Sequence, residues 1–403
     1  QNGWPTVTTS TFKSERETGD DGFVVRKDQY AAGQTWYLTV RAMANTSFTL
    51  LTGDIFVQDL GTLGFADANA NGQYDIGEEI LPSGSGVTTI RGEGMRFFKN
   101  TVPAGVPAWS LWLNGDPRDL AVMRAEVPFH AANTFARKQA GQMLVSQPLL
   151  STGTDTYFVS VLGSPGESIN LDSRIQKIEE MSFHSTMTDV AVSGPPYRVF
   201  RTNVPVDQIA WDISVTANAG NPNVCARKAN VGTEFDNDGY SEAAGNVNDS
   251  ITLVPDFLTN GTWFVTVYGS GNYNFTLKSG DPVVTPISFT DTKINDQTNR
   301  AGWRFYALTN IQSQLGPLGW ELYLSSQVPG SQISIRRNKV PGRWQYRSKG
   351  DVLESDADYA GFSSTTGFLQ RPGHQADVWY VGIFTPQQPL GAFQLDVRPI
   401  QPP

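Results

Sequence analysis

The sequence predicts an all-β protein built from tandem jelly-roll or immunoglobulin-like β-sandwich domains, three complete and one N-terminal half domain. Three observations predict it. Apolar and polar residues alternate over short runs, the period of half-buried strands. Clusters of Gly, Asn, Ser and Thr break those runs every ~8–12 residues, the spacing of a sandwich or barrel. One strand–turn–strand segment recurs four times along the chain.

The clearest copy of that segment is Thr262 to Asp281, TWFVTVYGSGNYNFTLKSGD. Trp263, Val265 and Val267 fall on one side of its first strand and Phe264, Thr266 and Tyr268 on the other. After a reversal at Gly269-Ser270-Gly271-Asn272, Tyr273, Phe275 and Leu277 face one way on the return strand, as in a hairpin. The other copies are Thr35 to Asp54 (TWYLTVRAMANTSFTLLTGD), Thr156 to Asp172 (TYFVSVLGSPGESINLD) and Val378 to Val397 (VWYVGIFTPQQPLGAFQLDV). With Trp36, Tyr157, Trp263 and Trp379 equivalent, the spacings are 121, 106 and 116 residues. A unit of that length is a whole domain, well beyond the ~20–50 residues of a solenoid repeat.

What precedes each copy also repeats. An aromatic strand (Phe97-Phe98, Val199-Phe200, Phe305-Tyr306) leads to a strand opened by Trp109, Trp211 or Trp320. A third strand then carries Met123-Arg124, Arg227-Lys228 or Arg336-Arg337. Short apolar runs upstream (Ile80-Leu81, Met181 to Phe183, Ile287 to Phe289) are expected to open each unit. The complete units therefore span residues 79–173, 178–281 and 285–400, with a half unit at 1–53 and a linker at 54–78. A unit of ~100 residues can bury one core without disulfide or metal. The repeated aromatics are its natural filling, and truncating one is expected to cost ~3–5 kcal/mol.

Composition narrows the function classes. Acidic residues outnumber basic ones by 39 to 30, for a net charge of −9. That balance argues against a nucleic-acid surface, which needs clustered basic side chains. No run approaches the ~18 apolar residues of a membrane span. Cys225 is the only cysteine, so no internal disulfide forms, and its expected role is that of a small buried hydrophobe.

The order basic strand, V-P or V-G, polar stretch, then G-x-W-[YF]-V-x-V-Y-G resembles the bacterial pre-peptidase C-terminal (PPC) domain. The chain shows it as ARKANVG before NGTWFVTVYGSGNYNFTL, and as IRRNKVP before VWYVGIF. The 79–173 unit departs at Leu162-Gly163, where the family prefers Tyr-Gly. The resemblance implies jelly-roll-like sandwiches of the kind appended to secreted proteases, collagenases and large surface proteins, some of which bind matrix polymers or calcium.

The first copy lacks its upstream strands: Gln1 to Pro5 aligns with the end of the basic third strand. A half sandwich exposes its core and its strand edges. Two completions are expected, an upstream part of a longer chain or strands supplied by a neighbouring subunit, as in strand complementation.

Residues 67–78, DANANGQYDIGE, fit the twelve-position calcium loop D-x-[DN]-x-[DN]-G-x₅-E. Asp67, Asn69 and Asn71 would give side-chain oxygens, Gln73 its backbone carbonyl, Asp75 a contact through water, and Glu78 a bidentate carboxylate. Gly72 permits the sharp turn. The flanks do not read as helices, so an isolated Ca²⁺ loop stiffening the joint between the first two units is expected. Asp236/Asp238 and Asp356/Asp358 form weaker acidic clusters that read as turns.

No catalytic set is legible. His130, His184 and His374 fall in different units, and no zinc pair, nucleophile elbow or phosphate loop occurs. The expectation is a non-enzymatic, extracellular or cell-surface structural or adhesive protein that self-associates, for example as a filament or sheath subunit. Its alternatives are the C-terminal accessory region of a secreted protease or other hydrolase, and a module binding polysaccharide or collagen.

Overall fold

Alternation of apolar residues buries one face of each strand, and the computed structural model shows how the strands pair. It describes residues 10–12, 14, 22–25, 29–42, 44–82, 84–90, 94–113, 119–128, 136–138, 141–193, 196–243, 248–255, 257–288, 292–308, 319–326, 328–341, 359–363, 365–369, 378–385 and 391–400. Among these the regular elements are strands, nine to a sandwich and repeated three times.

The first sandwich contains β1 (Val57–Thr62), β2 (Ser85–Thr89), β3 (Met95–Val102), β4 (Ala108–Leu113), β5 (Asp119–Arg124), β6 (Ala136–Lys138), β7 (Gln142–Ser146), β8 (Asp155–Leu162) and β9 (Ser168–Ile175). The middle one contains β10 (Ile178–Glu180), β11 (Ser185–Val192), β12 (Tyr197–Val204), β13 (Trp211–Ala219), β14 (Asn223–Lys228), β15 (Gly239–Ser241), β16 (Asp249–Leu253), β17 (Gly261–Tyr268) and β18 (Tyr273–Gly280). The last contains β19 (Val284–Ile287), β20 (Thr292–Gln297), β21 (Trp303–Leu308), β22 (Gly319–Ser326), β23 (Gln332–Arg337), β24 (Tyr359–Ser363), β25 (Thr365–Leu369), β26 (Trp379–Phe384) and β27 (Ala392–Ile400).

Each sandwich has a five-stranded and a four-stranded sheet in the same order. For the middle one these are β10-β12-β17-β14-β15 and β11-β18-β13-β16. Only the edge pair β10/β12 is parallel there, matched by β1/β3 and β19/β21 in the other two. The chain divides into two compact units, 1–177 and 178–403, the second holding the middle and last sandwiches.

Two expectations change. The repeated segment is not a hairpin: β17 lies between β12 and β14, while β18 lies between β11 and β13 in the opposite sheet. It is an arch that crosses the core, and both arms are central strands. A turn between two alternating runs looks the same in either case, because period 2 reports burial and not the pairing partner. The second change concerns residues 54–78. They are not a bare linker, because β1 pairs with β3 through Val57↔Phe97 and belongs to the first sandwich. Ile80, expected to open the unit, makes an isolated bridge to Phe65 instead.

The cores follow the pattern. Trp109 packs on Tyr157 with ring centroids 5.7 Å apart, and Trp211 meets Trp263 edge-on at 5.8 Å. Each opening indole also finds an acceptor: Trp109 Nε1 donates to Ser173 Oγ (2.8 Å) and Trp211 Nε1 to Ser279 Oγ (2.9 Å). A buried indole N–H needs such a partner.

Within the second unit, Ala210 and Val254 of the middle sandwich form one buried cluster with Trp303, Phe305 and Val340 of the last. Arg336 Nη1 donates to the Pro255 carbonyl across the same boundary (3.0 Å). Asn299 completes it, accepting from the Trp303 N–H while its Nδ2 reaches Asp212 Oδ2 (3.4 Å) and Thr252 Oγ1 (3.3 Å). Burial around Asp212 outweighs the hydrogen bonds from Thr252 and Asn299 and raises its carboxyl to about 6.

Candidate functional site

The calcium-type loop is an excursion between β1 and β2 of the first sandwich. Its neck is a short antiparallel ladder, with Ala66 N–H donating to Glu79 O (2.8 Å) and Leu81 N–H to Gly64 O (3.1 Å). Tyr74 anchors it: the ring is buried in the sandwich core, Phe65 packs on its edge, and its N–H donates to Ala104 O (2.9 Å).

The side chains expected as ligands fold into this loop. Asp67 accepts from the N–H groups of Asn71 (3.0 Å) and Gly72 (2.7 Å), and Gly72 takes the left-handed φ of +74°. Glu78 accepts from the N–H groups of Ala68 (3.0 Å) and Asp75 (2.9 Å), drawing the ends of the loop together. Asp75 Oδ2 receives the side-chain amides of Asn69 (2.7 Å) and Asn71 (2.8 Å), and Asn71 Oδ1 accepts the Gln73 N–H (2.7 Å). Five oxygen-bearing side chains therefore share one loop, the hard donor type that suits calcium. In this arrangement the two amides turn N–H toward Asp75, so ligation requires Asn69 and Asn71 to rotate. Among the described residues, no three His, Cys, Asp or Glu side chains gather closely enough to hold a metal.

The remaining candidates have other partners. Asp236 pairs with Arg227 (2.9 Å) and Asp238 accepts the Lys228 N–H (2.7 Å). Asp356 and Asp358 lie outside the described residues, as do His130 and His374. His184 Nε2 sits 2.9 Å from Asp281 Oδ2 on an exposed surface. Cys225 is fully buried on β14, and burial pushes its thiol pKa up, away from nucleophilic chemistry. Among the described residues no helix is long and apolar enough to cross a membrane.

The most unusual surface lies in the first copy of the arch. Tyr157, Trp263 and Trp379 are 2, 1 and 0 % exposed, whereas their equivalent Trp36 is 37 % exposed. Phe48 is 63 % exposed where its counterpart Phe275 is fully buried. Leu38, Val40 and Leu50 are likewise exposed, and their counterparts Val265, Val267 and Leu277 are buried. Among the described residues, none from Ser10 to Phe56 belongs to a strand. Trp36 meets Phe12, which stacks on Phe23.

Sequence reasoning missed two features. Tyr74 ties the loop to a core, and a lone aromatic inside a polar run was its only signal. The Asp212–Thr252–Asn299 bridge joins residues far apart in the chain, and no local pattern announces it.

No family model matches the chain, and no curated protein does. Among solved structures, it is similar to the pre-peptidase C-terminal domain of a collagenase from Bacillus anthracis, at 18% identity over 26% of this chain and 97% of that one, with a TM-score of 0.21. The CUB1-EGF-CUB2 domains of rat MASP-1 match at 8% identity over 55% of this chain and 99% of theirs (TM-score 0.16). A triple jelly-roll protein from the turret assembly of an archaeal virus matches at 9% identity over 84% and 89% (TM-score 0.18). Likenesses this distant carry no argument about function, and the fold class rests on the chain's own three tandem sandwiches.

Proposed function

We propose that this chain is a non-enzymatic structural protein of the extracellular space or cell surface, made of PPC-type sandwiches and incorporated into a filament or sheath. The carrying observation is the exposed arch at residues 35–54. It has the sequence of a core element and the exposure of an interface. Contiguous apolar exposure of this kind marks an interaction surface or an aggregation hazard, and strand complementation resolves both. Repetition of one scaffold three times, with a buried cluster shared by the middle and last copies, supports the structural reading. Ordered filaments seen by electron microscopy of the purified protein would support the filament reading; monomeric particles at every concentration would remove it.

Calcium belongs to the same proposal. Asp67, Asn69, Asn71, Asp75 and Glu78, with the Gln73 carbonyl, would hold one Ca²⁺. The ion would clamp the excursion onto the first sandwich, to which Tyr74 anchors it, rather than stiffen a free linker. Sites of ~10⁻⁴–10⁻³ M affinity suffice where calcium is millimolar, as outside cells. The second reading is the accessory region of a secreted hydrolase, favoured by the ARKANVG and IRRNKVP motifs; a protease domain encoded upstream would establish it. A polysaccharide- or collagen-binding role needs an exposed aromatic row; Tyr157, Trp263 and Trp379 are buried, whereas Trp36, Tyr37 and Phe48 of the first copy are exposed.

A further inference from the structure

Asp212 and Thr252 stand opposite each other as a cross-strand pair of β13 and β16. The fold does not require this pair. Its counterparts are Ser110 and Leu144 in the first sandwich, and Glu321 and Gly367 in the last. What distinguishes the middle sandwich is that the last one presents Asn299 to it. A tight turn holds Asn299 in place: its N–H donates to Trp303 O (2.6 Å), and its carbonyl accepts from the Gly302 N–H (3.0 Å). Gly302 takes the left-handed φ of +85° that this turn needs. Trp303 is fixed in turn by the buried cluster that the two sandwiches share.

The groups of an acyl transfer converge at this point. Thr252 is buried, and its hydroxyl donates to Asp212 Oδ1 (2.5 Å). A hydroxyl held by a carboxylate base is an activated nucleophile. The Asn299 amide lies against that hydroxyl, with Nδ2 3.3 Å from Thr252 Oγ1. Asp212 Oδ2 is 3.4 Å from the same nitrogen, so one carboxylate touches both the nucleophile and the leaving group. The Trp303 N–H donates to Asn299 Oδ1 (2.8 Å), where charge would develop as the carbonyl is attacked. Burial raises the Asp212 carboxyl to about 6, which suits a group that takes up and returns a proton near neutral pH.

We infer that Thr252 and Asn299 react to form an ester, a covalent cross-link that the chain makes on itself between its middle and last sandwiches. Thr252 Oγ1 attacks Asn299 Cγ while its proton passes to Asp212. The carbonyl electron pair moves onto Oδ1, held by the Trp303 N–H. When the carbonyl re-forms, the Cγ–Nδ2 bond breaks and the nitrogen takes the proton back from Asp212. The products are the ester and one ammonia, and Asp212 ends as the carboxylate it was. No oxidant, metal or cofactor enters the balance. Holding the reactants in contact supplies much of the rate, and loss of ammonia to bulk water draws the reaction forward. The two sandwiches, already joined by a buried cluster, would then resist being pulled apart.

Mass spectrometry of the full chain, folded at neutral pH and then denatured and digested with trypsin, is the test. The expected chain is lighter than its sequence by one ammonia, with tryptic peptides 229–278 and 294–300 recovered as one linked species. Mild alkali, which hydrolyses esters and spares amides, should separate them. Thr252→Val should abolish the link and Thr252→Ser should keep it, which shows that the joint still folds around a substituted residue. Asp212→Asn should slow its formation at least about a hundredfold, the usual loss for a general acid–base group. A folded chain of full mass that yields both peptides free overturns the inference. Recovery of Asn299 as aspartate with both peptides free also overturns it, since water and not Thr252 would then be the nucleophile. A link that forms as fast in Asp212→Asn overturns the role of Asp212.

Discussion

Residues 35–54 and 262–281 share half of their positions, yet one segment is solvent-exposed and the other forms two central strands of a sandwich core. The difference lies outside both segments. β17 and β18 are each hydrogen-bonded on two sides, by β12 and β14 and by β11 and β13. The first copy has none of these neighbours among the described residues. Strand propensity alone does not make a strand, because main-chain groups need a partner and apolar side chains need an opposing face.

The sharpest way to break this comparison is to truncate the equivalent tryptophans. Trp263→Ala should destabilise the second unit by about 3–5 kcal/mol, since it empties a fully packed site. Trp36→Ala should leave the denaturation of the isolated chain unchanged within about 0.5 kcal/mol. Equal losses in chemical denaturation would show that Trp36 is also buried in solution. The hydroxyls come next. Ser279 Oγ accepts the Trp211 indole and donates to the Phe183 carbonyl (2.6 Å), so Ser279→Ala strands two buried groups, at a cost of about 1–3 kcal/mol. Thr52→Ala, at the equivalent but exposed position, should leave the stability of the chain unchanged within about 0.5 kcal/mol.

The pH dependence of the second unit probes its rigid joint. Asp212 has a folded pKa of about 6 against an ordinary 3.8, so the folded state holds more protons between those values. Its contribution is therefore fully present below 3.8 and is lost as pH rises through about 6. Allowing for the partial exposure of the side chain, the loss should be about 1–2 kcal/mol. Urea denaturation at pH 4.5 and 7.5 should show this difference in the native chain and not in Asp212→Asn; an identical pH profile in the variant contradicts it. The smallest effect belongs to calcium. Chelation at millimolar calcium should speed proteolysis within 67–78 about two- to tenfold, the occupancy factor for such affinities. The sandwiches should melt as before, and cleavage that ignores the chelator would argue against the site.

Much of this was readable from residues alone, for a physical reason. Burial on one face of a strand imposes period 2, so Trp263, Val265 and Val267 announced a core, and Trp109 and Trp211 announced the strands that close it. Pairing leaves no such trace: nothing in GSGN distinguishes a hairpin turn from an arch between sheets. Likewise, the D-x-N-x-N-G spacing identified a loop, but the placement of that loop was set by Tyr74 and by β1, which pairs with a strand some forty residues later. Contacts made across long stretches of chain, such as Asn299 to Asp212, are invisible to any local pattern.

Amide hydrogen exchange on the full chain, comparing residues 35–54 with 262–281, tests the central claim most directly. In dilute protein the first segment should exchange at nearly unstructured rates while the second is protected to the level of global unfolding. In assembled material the first segment should acquire the protection of the second. Equal protection of both segments in the dilute chain, or continued rapid exchange of 35–54 after assembly, would contradict the view that this arch waits for strands from a partner.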